Sequence, residues 1–368
     1  IGGDEFLVVL PGQASREAAR RSAARGAERC FRRPLELEGR ELSLTASMGV
    51  AVFPDDADDF HQLVNDADRA MYRASREGSL VEFYDQREDP PYGGRIERRE
   101  RIERALEEGE IRGYRQPIYE LAGDRRLAWI ELLARWEQGD GTVLEGADLV
   151  PEIQSLGLLP RLDLAMLRQA AEEAARWQEG TVASNLSAET LAREDLADEV
   201  RTILRERPEA EGRLAVEVTE HAALREPDRS RALLEELTDL GVAVVLDDFG
   251  TGYSSLSHLE TLPVHTVKLD FSLIQRIGTG ERAEALVTGV VDLAHSLGAR
   301  VVAEGVEREE QLRWLLRSGC DAAQGYLLGH PSPPDRPLPA TLGDARTARG
   351  PAPEAERARP GGSPEEGG

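Results

Sequence analysis

Residues 243–270 read AVVLDDFGTGYSSLSHLETLPVHTVKLD, and the order of apolar and polar residues in this stretch decides the fold. A predicted strand at Ala243–Asp247 runs into an acidic pair, a loop with Gly and Ser follows, and a second predicted strand covers Thr266–Leu269. Glycines permit tight backbone turns, and short hydroxyl side chains anchor loops. The loop after Asp248 is therefore interpreted as a mobile catalytic loop rather than an ordinary connection.

The same alternation of strand and helix extends in both directions from this stretch. Amphipathic helices are predicted near Leu162–Trp177, Arg229–Leu240, Arg282–Leu297 and Arg308–Ser318. Eight strands are predicted near Tyr114–Tyr119, Leu127–Ala134, Val182–Leu186, Leu214–Thr219, Ala243–Asp247, Thr266–Leu269, Val301–Glu304 and Ala322–Gly325. Eight strands that alternate with helices over about 230 residues indicate an α/β fold, closed into a TIM-like β/α barrel.

Polar residues stand at or near the ends of almost all these strands, where a buried strand would otherwise avoid them. They are Glu131, Asn185, Glu217, Asp247 with Asp248, Lys268, Glu304 and Gln324. A single residue of this kind would be explained as a cap or a buried hydrogen bond. Agreement among seven strands instead predicts a functional site, because active sites of β/α barrels lie at the carboxyl ends of the strands.

Carboxylates crowded at one barrel mouth repel one another and raise each other's pKa, and divalent cations relieve this repulsion. Oxygen ligands from Glu, Asn and Asp suit Mg²⁺ or Mn²⁺ better than zinc. The adjacent Asp247 and Asp248 can bridge two ions, an arrangement suited to in-line displacement at phosphorus. Lys268 lies one strand later, where it can orient or deprotonate the attacking water. None of the six histidines shows the spacing of a zinc protease, which argues against metal-dependent proteolysis.

Composition limits the classes of partner. The formal charge of −24 (45 Lys and Arg against 69 Asp and Glu) argues against a surface for DNA or RNA polymers, which need clustered basic residues. A dinucleotide is compatible if metal ions screen its phosphates. Two cysteines, Cys30 and Cys320, cannot form a disulfide framework and predict a cytoplasmic location. No apolar run approaches the roughly 20 residues of a membrane-spanning helix, so no membrane segment is expected.

Seven short motifs resemble those of the EAL family of cyclic-diguanylate phosphodiesterases and occur in the family's order within Arg99–Pro334. They are Gln116–Ile118 (QPI), Asn185–Ser187 (NLS), Glu217–Glu220 (EVTE), Asp247–Leu256 (DDFGTGYSSL), Lys268–Asp270 (KLD), Ala303–Glu307 (AEGVE) and Gln324–Tyr326 (QGY). The resemblance implies a bacterial signalling enzyme that hydrolyses cyclic di-GMP to linear 5′-pGpG with two Mg²⁺ or Mn²⁺ ions.

The resemblance also implies a role for individual residues. The implied metal ligands are Glu131, Asn185, Glu217, Asp247 and Asp248. Lys268 would contact the attacking water, and Glu304, Glu307 and Gln324 would complete the catalytic group. Gln116, Arg135 and Asp270 would hold the substrate, and Glu220 would anchor the loop after Asp248. Related barrels pair through the region after Asp248, which predicts a possible homodimer.

Two positions depart from the family's motifs. The name-giving E-A-L is E-L-L at Glu131–Leu133, so Leu132 is expected to crowd the substrate and to change affinity more than chemistry. The family's F-I-P-x-A-E is L-V-P-E-I-Q at Leu149–Gln154, so a base or ribose contact is expected to differ at Gln154. Neither change removes an implied metal ligand.

The N-terminal segment resembles the second half of a GGDEF diguanylate cyclase domain, through Gly2–Phe6 (GGDEF), Leu44–Ala51 and Ala67–Ala74. The family's first half, with its metal-binding Asp and phosphate contacts, has no counterpart here, and the chain begins without Met inside a domain. Arg73 or Ser75 occupies the place of a phosphate-binding Lys. Glu5 alone cannot hold the two ions that GTP condensation requires, so no cyclase activity is expected.

The predicted organisation has four parts. Residues 1–85 form a partial α+β domain of the GGDEF type, 86–98 a linker and the start of a connector helix, and 99–336 the barrel. Residues 337–368, rich in Pro, Gly, Ala, Arg and Glu, form a tail that composition predicts to be disordered.

Hydrolysis of cyclic di-GMP has one main rival, a degenerate domain that binds the dinucleotide without cutting it. Survival of every implied ligand and of Lys268 favours the enzyme. Two other activities are disfavoured. Diguanylate cyclase activity needs the half of the GGDEF domain that has no counterpart here. A sugar-phosphate aldolase needs a Schiff-base lysine in an apolar pocket, whereas Lys268 belongs to a set rich in carboxylates.

Overall fold

The computed structural model describes residues 6–13, 15–31, 35–37, 40–42, 46–57, 59–77, 79–85, 95–177, 179–250 and 262–348. The chain divides into two compact units, Ile1–Arg104 and Ala105–Gly368. None of the helices in the described ranges is both long and apolar enough to span a membrane.

The N-terminal unit contains two long helices and two pairs of short strands. They are α1 (Arg16–Phe31), β1 (Leu35–Leu37), β2 (Arg40–Leu42), β3 (Met48–Val50), α2 (Phe60–Glu77) and β4 (Val81–Phe83). The β1–β2 pair is antiparallel and the β3–β4 pair is parallel. Phe83 packs with Ala19 and Ala23 of α1, which joins the parallel pair to the helix. Residues 6–10, before α1, have no regular structure.

A closed barrel of eight strands forms the second unit, as predicted. Its strands, with the added edge strand β7, are β5 (Ile111–Glu120), β6 (Leu127–Glu137), β7 (Val143–Leu144), β8 (Thr181–Asn185), β9 (Leu214–Thr219), β10 (Ala243–Phe249), β11 (Thr266–Leu269), β12 (Arg300–Ala303) and β13 (Ala322–Ala323). The barrel closes because β5 pairs with both β6 and β13. Both pairings are antiparallel, since only the short loop 121–126 separates β5 from β6, and a parallel crossover needs a longer connection.

Helix α3 (Arg95–Glu107) runs across the boundary between the two units, and the remaining helices of the described residues belong to the second unit. They are α4 (Gly146–Ser155), α5 (Leu159–Arg176), α6 (Ala188–Leu191), α7 (Leu196–Glu206), α8 (Glu220–Leu224), α9 (Pro227–Asp239), α10 (Phe271–Gln275), α11 (Glu281–Ser296), α12 (Glu309–Ser318) and α13 (Leu342–Ala348). Helix α5 buries Leu162, Met166 and Ala170, which lie four positions apart and so share one face.

The inside of the barrel has an apolar floor and a polar mouth. On or directly after each strand, a polar residue at the mouth lies two positions from an apolar or small residue deeper inside, because side chains with period two share one face of a strand. The pairs are Gln116 with Ile118, Glu131 with Trp129, Asn185 with Ala183, Glu217 with Ala215, Asp247 with Val245, Lys268 with Thr266, Glu304 with Val302 and Gln324 with Ala322. Trp129 packs against two groups of these apolar residues and so fills the floor. One group is Ile118, Val302 and Ala322, and the other is Ala183, Ala215 and Val245.

The prediction of disorder from residue 337 is wrong for residues 337–348. This segment is tied to the β5–β6 hairpin: the Leu127 N–H donates to the Ala340 carbonyl at 2.8 Å, and the Leu342 N–H donates to the Arg125 carbonyl at 2.9 Å. The segment then forms α13, in which Leu342 and Ala345 are buried. Composition misled here because order comes from hydrogen bonds to a distant hairpin and from two buried side chains, which a local count of residue types does not report.

A substitution in α13 tests this assignment. Leu342→Ala removes a side chain that is 2% exposed, and we expect a loss of about 2–3 kcal/mol in the free energy of unfolding, from lost burial and the cavity left behind. The matched control is Leu286→Ala, at a leucine that is 45% exposed. Urea denaturation of both variants measures the difference. Equal, negligible losses would show that α13 does not pack on the barrel.

Candidate metal centre

A β-bulge brings two consecutive acids to the barrel mouth. Side chains of neighbouring strand residues normally point to opposite faces. Here the register between β10 and β11 shifts between Leu246 and Phe249, and Asp248 has a positive φ of 56°. Asp tolerates this left-handed conformation better than most residues, and the bulge re-aims its side chain. As a result, carboxylate oxygens of Asp247, Asp248 and Glu304 lie within 4.8 Å of one another.

Lys268 lies at the centre of the mouth and is surrounded by carboxylates from four other strands. Its Nζ lies 2.6 Å from both Glu217 Oε2 and Glu304 Oε1, 3.1 Å from Glu131 Oε2 and 3.6 Å from Asp247 Oδ1. The lysine is 1% exposed, so these charges interact with little solvent screening. The ammonium is the common partner of four acids that the sequence separates by up to 173 positions (Glu131 to Glu304).

Lys268 is the only lysine in the chain; the other 44 of the 45 basic residues are arginines. A chain that uses arginine everywhere else places a compact ammonium where four carboxylates converge, and the larger planar guanidinium would not fit that geometry. The single lysine was a compositional signal for this site that motif reading did not use.

Burial and mutual repulsion shift the pKa values of these groups in different directions. Burial raises the pKa of Glu217 well above its usual value, and the charge of Glu131 adds to the effect. Burial also raises the pKa of Glu304 to about 8, despite the nearby Lys268. Burial alone would lower the pKa of Lys268, but the surrounding carboxylates raise it well above its usual value. Shifts of this size concentrate at functional sites.

Glu131 is held by a chain of amide side chains. Asn185 Nδ2 donates to Glu131 Oε1 at 2.9 Å, and Gln324 Nε2 donates to Glu131 Oε2 at 2.7 Å. The Gln324 amide also donates to Gln116 Oε1 at 2.9 Å, and Gln116 donates in turn to the Gly329 carbonyl. Burial would raise the pKa of Glu131, but the charge of Lys268 lowers it, and these donors add to that effect because they favour the ionised carboxylate. Asn185 therefore turns its amide nitrogen to Glu131 and keeps its Oδ1 available as a ligand.

The donor set fits a divalent cation. Four carboxylates (Glu131, Glu217, Asp247 and Glu304) converge on one ammonium and Asp248 lies beside Asp247 and Glu304, which leaves an excess of negative charge at the mouth. Among the described residues, the buried Glu217 Oε1 has no hydrogen-bond donor, and a buried acceptor of this kind is costly unless it has a partner. All these ligands are oxygens, which suits Mg²⁺ or Mn²⁺.

Four residues named from sequence lie outside this central cluster. Glu307 is exposed and accepts a hydrogen bond from Gln275 Nε2 at 3.2 Å. Asp270 caps α10 by accepting from the Ser272 N–H. Burial and the charge of Asp247 raise the pKa of Asp248, and the charge of Asp270 adds to them. Glu220 begins α8, and the loop it was predicted to anchor, residues 251–261, lies outside the described residues. The fourth residue is Arg135.

Arg135 lines a separate cavity of about 250 Å³. The cavity is bounded by Tyr114, Arg135, Val143, Glu145, Tyr326, His330 and Pro331. The guanidinium of Arg135 lies 5.9 Å from the centre of the Tyr114 ring, and the rings of Tyr326 and His330 stack with centroids 4.4 Å apart. Sequence reading named Arg135 but not its aromatic neighbours, because strand, loop and post-strand residues meet here only in three dimensions.

The structure corrects the expectation about Leu132. Its side chain is buried on the outer face of β6, beside Gly113 of β5 and Met166 of α5, and so points away from the mouth that Glu131 faces. Leu132 therefore fills the layer between barrel and helix and does not crowd a ligand. Gln154 is exposed on α4, where its amide donates to Glu189 Oε1 at 3.3 Å.

The fold and the site together define the class of this protein: it is a closed β/α barrel with an acidic mouth whose ligands suit divalent cations. Comparison with protein families assigns it further: the EAL domain profile matches residues 99–331, and the profile of the diguanylate cyclase, GGDEF domain, matches residues 1–80. The chain therefore belongs to the EAL domain family and carries a partial GGDEF region before the barrel.

Two curated relatives come from Pseudomonas aeruginosa. The bifunctional diguanylate cyclase/cyclic di-GMP phosphodiesterase MucR is 33% identical over 347 residues, which cover 92% of this chain and 50% of MucR. The cyclic di-GMP phosphodiesterase NbdA is 33% identical over 339 residues, which cover 90% of this chain and 43% of NbdA. The chain thus spans half the length of these relatives or less.

Among solved structures, the MucR phosphodiesterase in complex with cyclic di-GMP superposes with a TM-score of 0.60 at 34% identity. The match covers 64% of this chain and 97% of that one. The FimX EAL domain of Pseudomonas aeruginosa, bound to cyclic di-GMP, has a TM-score of 0.59 at 22% identity and supports the fold alone.

Proposed function

We propose that this protein hydrolyses one phosphodiester bond of cyclic di-GMP to give linear 5′-pGpG, with two Mg²⁺ or Mn²⁺ ions. The observation that carries the proposal is the convergence of Glu131, Glu217, Asp247 and Glu304 on Lys268 at the mouth of an EAL-family barrel. The names of the relatives MucR and NbdA support the choice of substrate.

The residues proposed to hold the ions are Glu131, Asn185, Glu217, Asp247 and Asp248. Bound cations in such sites lower the pKa of the attacking water and stabilise charge on the phosphate oxygens. Their positive charge also balances the local excess of carboxylates at the mouth, which would otherwise repel an anionic dinucleotide.

Lys268 and Glu304 are proposed to handle the attacking water. An ammonium has three N–H donors and no acceptor, so Lys268 orients the water by donating to its oxygen in place of one of its three nearest carboxylate contacts. Glu304 lies 2.6 Å from Lys268 and its side chain is 19% exposed, whereas that of Glu217 is fully buried. Glu304 can therefore reach the water and accept its proton as the oxygen attacks phosphorus and the P–O3′ bond breaks. The departing 3′ oxygen takes a proton from solvent.

The cavity at Arg135 is proposed to take one guanine base. Aromatic rings at Tyr114, Tyr326 and His330 offer stacking surfaces, and Arg135 offers donors for the acceptor edge of the base. Gln116 joins this cavity to the centre, because it bonds both to Gln324 and to the Gly329 carbonyl beside His330. A substrate contact by Asp270 and a catalytic role for Glu307 remain predictions.

Incubation of the purified protein with cyclic di-GMP and Mg²⁺, followed by chromatography of the products, tests the proposal. We expect cyclic di-GMP to be converted to 5′-pGpG. The matched control is Glu217→Gln, which keeps the size of the buried side chain and removes its charge; it should cut the rate strongly. Dinucleotide that binds the wild-type protein and is recovered unchanged would favour the rival function, a sensor without catalysis.

Three further expectations remain predictions. The N-terminal region should make no cyclic di-GMP from GTP; Glu5, the residue in question, lies outside the described part of the chain. A homodimer is expected through the region after Asp248, of which residues 251–261 are not described. A cytoplasmic location follows from cysteine usage, and Cys320 is a free, buried cysteine.

A further inference from the structure

Asp163 is a charged residue in an apolar environment. It lies on the buried face of α5, between Leu162 and Met166, and is 6% exposed. Burial raises the pKa of its carboxyl group. A buried carboxylate is costly unless hydrogen bonds compensate for the lost water, so its partners indicate why the residue is there.

A single oxygen of Asp163 accepts three hydrogen bonds from the turn after β8. Oδ2 accepts from the Ser187 N–H at 2.7 Å, from Ser187 Oγ at 2.6 Å and from Thr190 Oγ1 at 2.5 Å. Ser187 also caps the short helix α6 by accepting from the Thr190 N–H. Asp163 therefore fixes both the backbone and the side chains of this turn.

The turn begins two residues after Asn185, a proposed metal ligand. Between them, the Leu186 N–H donates to the Glu217 carbonyl at 2.8 Å, so the same few residues join two proposed ligands. The Asn185 side chain is oriented by its bond to Glu131, and its backbone lies at the end of β8. The following turn, which Asp163 holds from α5, restrains that strand end from the helix side.

We propose that Asp163 is a positioning residue that holds Asn185 in its ligand geometry through Ser187 and Thr190. The inference rests on the proposed metal centre. Outer partners of metal ligands typically contribute 10- to 100-fold to metal affinity or activity. Because Asp163 acts through the turn rather than on Asn185 directly, we place its effect at about 10-fold, the lower end of this range.

Mn²⁺ affinity, measured from the electron paramagnetic resonance signal of the free ion, tests this role without relying on catalysis. We expect Asp163→Ala to weaken Mn²⁺ binding about 10-fold. Asp163→Asn keeps an oxygen that can accept the same three bonds, so it should stay much closer to the wild-type affinity. Thr190→Val removes one of the bonds without changing side-chain size and should give an intermediate loss.

The matched control is Asp321→Ala. Asp321 Oδ2 likewise accepts a hydrogen bond from a backbone N–H, that of Val301 at 2.7 Å, and lies 2.8 Å from His295 Nε2. Asp321 is at the opposite end of the barrel. Its loss should lower the melting temperature and leave Mn²⁺ affinity unchanged. If Asp163→Ala behaves in the same way, Asp163 is only a structural cap and the proposal is overturned.

The remaining outcomes are also decisive. If Asp163→Ala does not fold, Thr190→Val and Ser187→Ala decide, and wild-type Mn²⁺ affinity in both rejects the positioning role. If the wild-type protein binds no Mn²⁺, the proposed metal centre itself fails, and the role of Asp163 fails with it. Wild-type binding with no change in any variant rejects Asp163 alone.

Discussion

We expect removal of divalent cations with excess EDTA to abolish hydrolysis of cyclic di-GMP, and Mg²⁺ or Mn²⁺ to restore it. The expected loss is large because bound cations contribute several kcal/mol of charge stabilisation, which corresponds to about 10³-fold or more in rate. The structure gives the reason: four of the five carboxylates at the mouth share one ammonium, and Glu217 Oε1 is a buried acceptor without a donor among the described residues. Rates are measured across a titration of each cation after chelation.

EDTA that has been saturated with Mg²⁺ beforehand is the control for direct effects of the chelator. Ca²⁺ is larger than Mg²⁺ and less demanding of octahedral geometry, so we expect it to support dinucleotide binding better than turnover. Full activity that persists in excess free chelator would contradict the two-ion mechanism. Catalysis would then have to be assigned to Lys268 and the surrounding carboxylates alone.

The sequence was sufficient to predict the barrel and most of the central cluster. Buried strands with a polar residue at one end are a local pattern, and the predicted bounds of Leu214–Thr219 and Thr266–Leu269 agree with the structure. Glu131, Asn185, Glu217, Asp247, Lys268, Glu304 and Gln324 do meet at one mouth. Eight strands of one barrel force their ends together, so a residue's position on its strand already determines its place in the site.

Features that depend on a distant partner were not predictable in this way. The bulge that turns Asp248 toward Asp247 arises from a register shift against β11. The buried charge of Asp163 is readable in the sequence, but its partners Ser187 and Thr190 lie on another element. Order in residues 337–348 comes from the β5–β6 hairpin. In each case a long-range hydrogen bond decides the local structure, and a linear pattern does not contain it.

Replacement of Lys268 separates chemistry from binding. Lys268→Met keeps most of the side-chain volume and removes the ammonium that donates to Glu131 and Glu217. We expect kcat to fall by about 10²–10³, the usual loss when one charged or preorganised donor is removed from a reacting centre. Affinity for the dinucleotide should change much less, because the proposed base cavity at Arg135 is a separate group of residues.

The alternative role for Lys268 is charge balance, in which the ammonium only offsets the four carboxylates around it. These roles differ in their dependence on cations. If Lys268 only balances charge, extra Mg²⁺ replaces it, and kcat of Lys268→Met recovers at saturating Mg²⁺. If Lys268 orients the attacking water, kcat stays low at every Mg²⁺ concentration, because no added cation supplies an N–H donor at that place.

A titration of Mg²⁺ with kcat and dinucleotide affinity measured at each point therefore decides between the two roles. The matched control is Arg300→Met, which breaks a cation–carboxylate pair with Glu120 (2.7 Å) at the floor end of the barrel and should leave kcat unchanged. Lys268→Arg adds a second comparison, since it keeps the positive charge but replaces the compact ammonium with a planar guanidinium. Recovery of kcat in Lys268→Met at high Mg²⁺ rejects the orienting role. If both Lys268 variants fold and both keep a low kcat, the effect belongs to the position of the ammonium rather than to its charge.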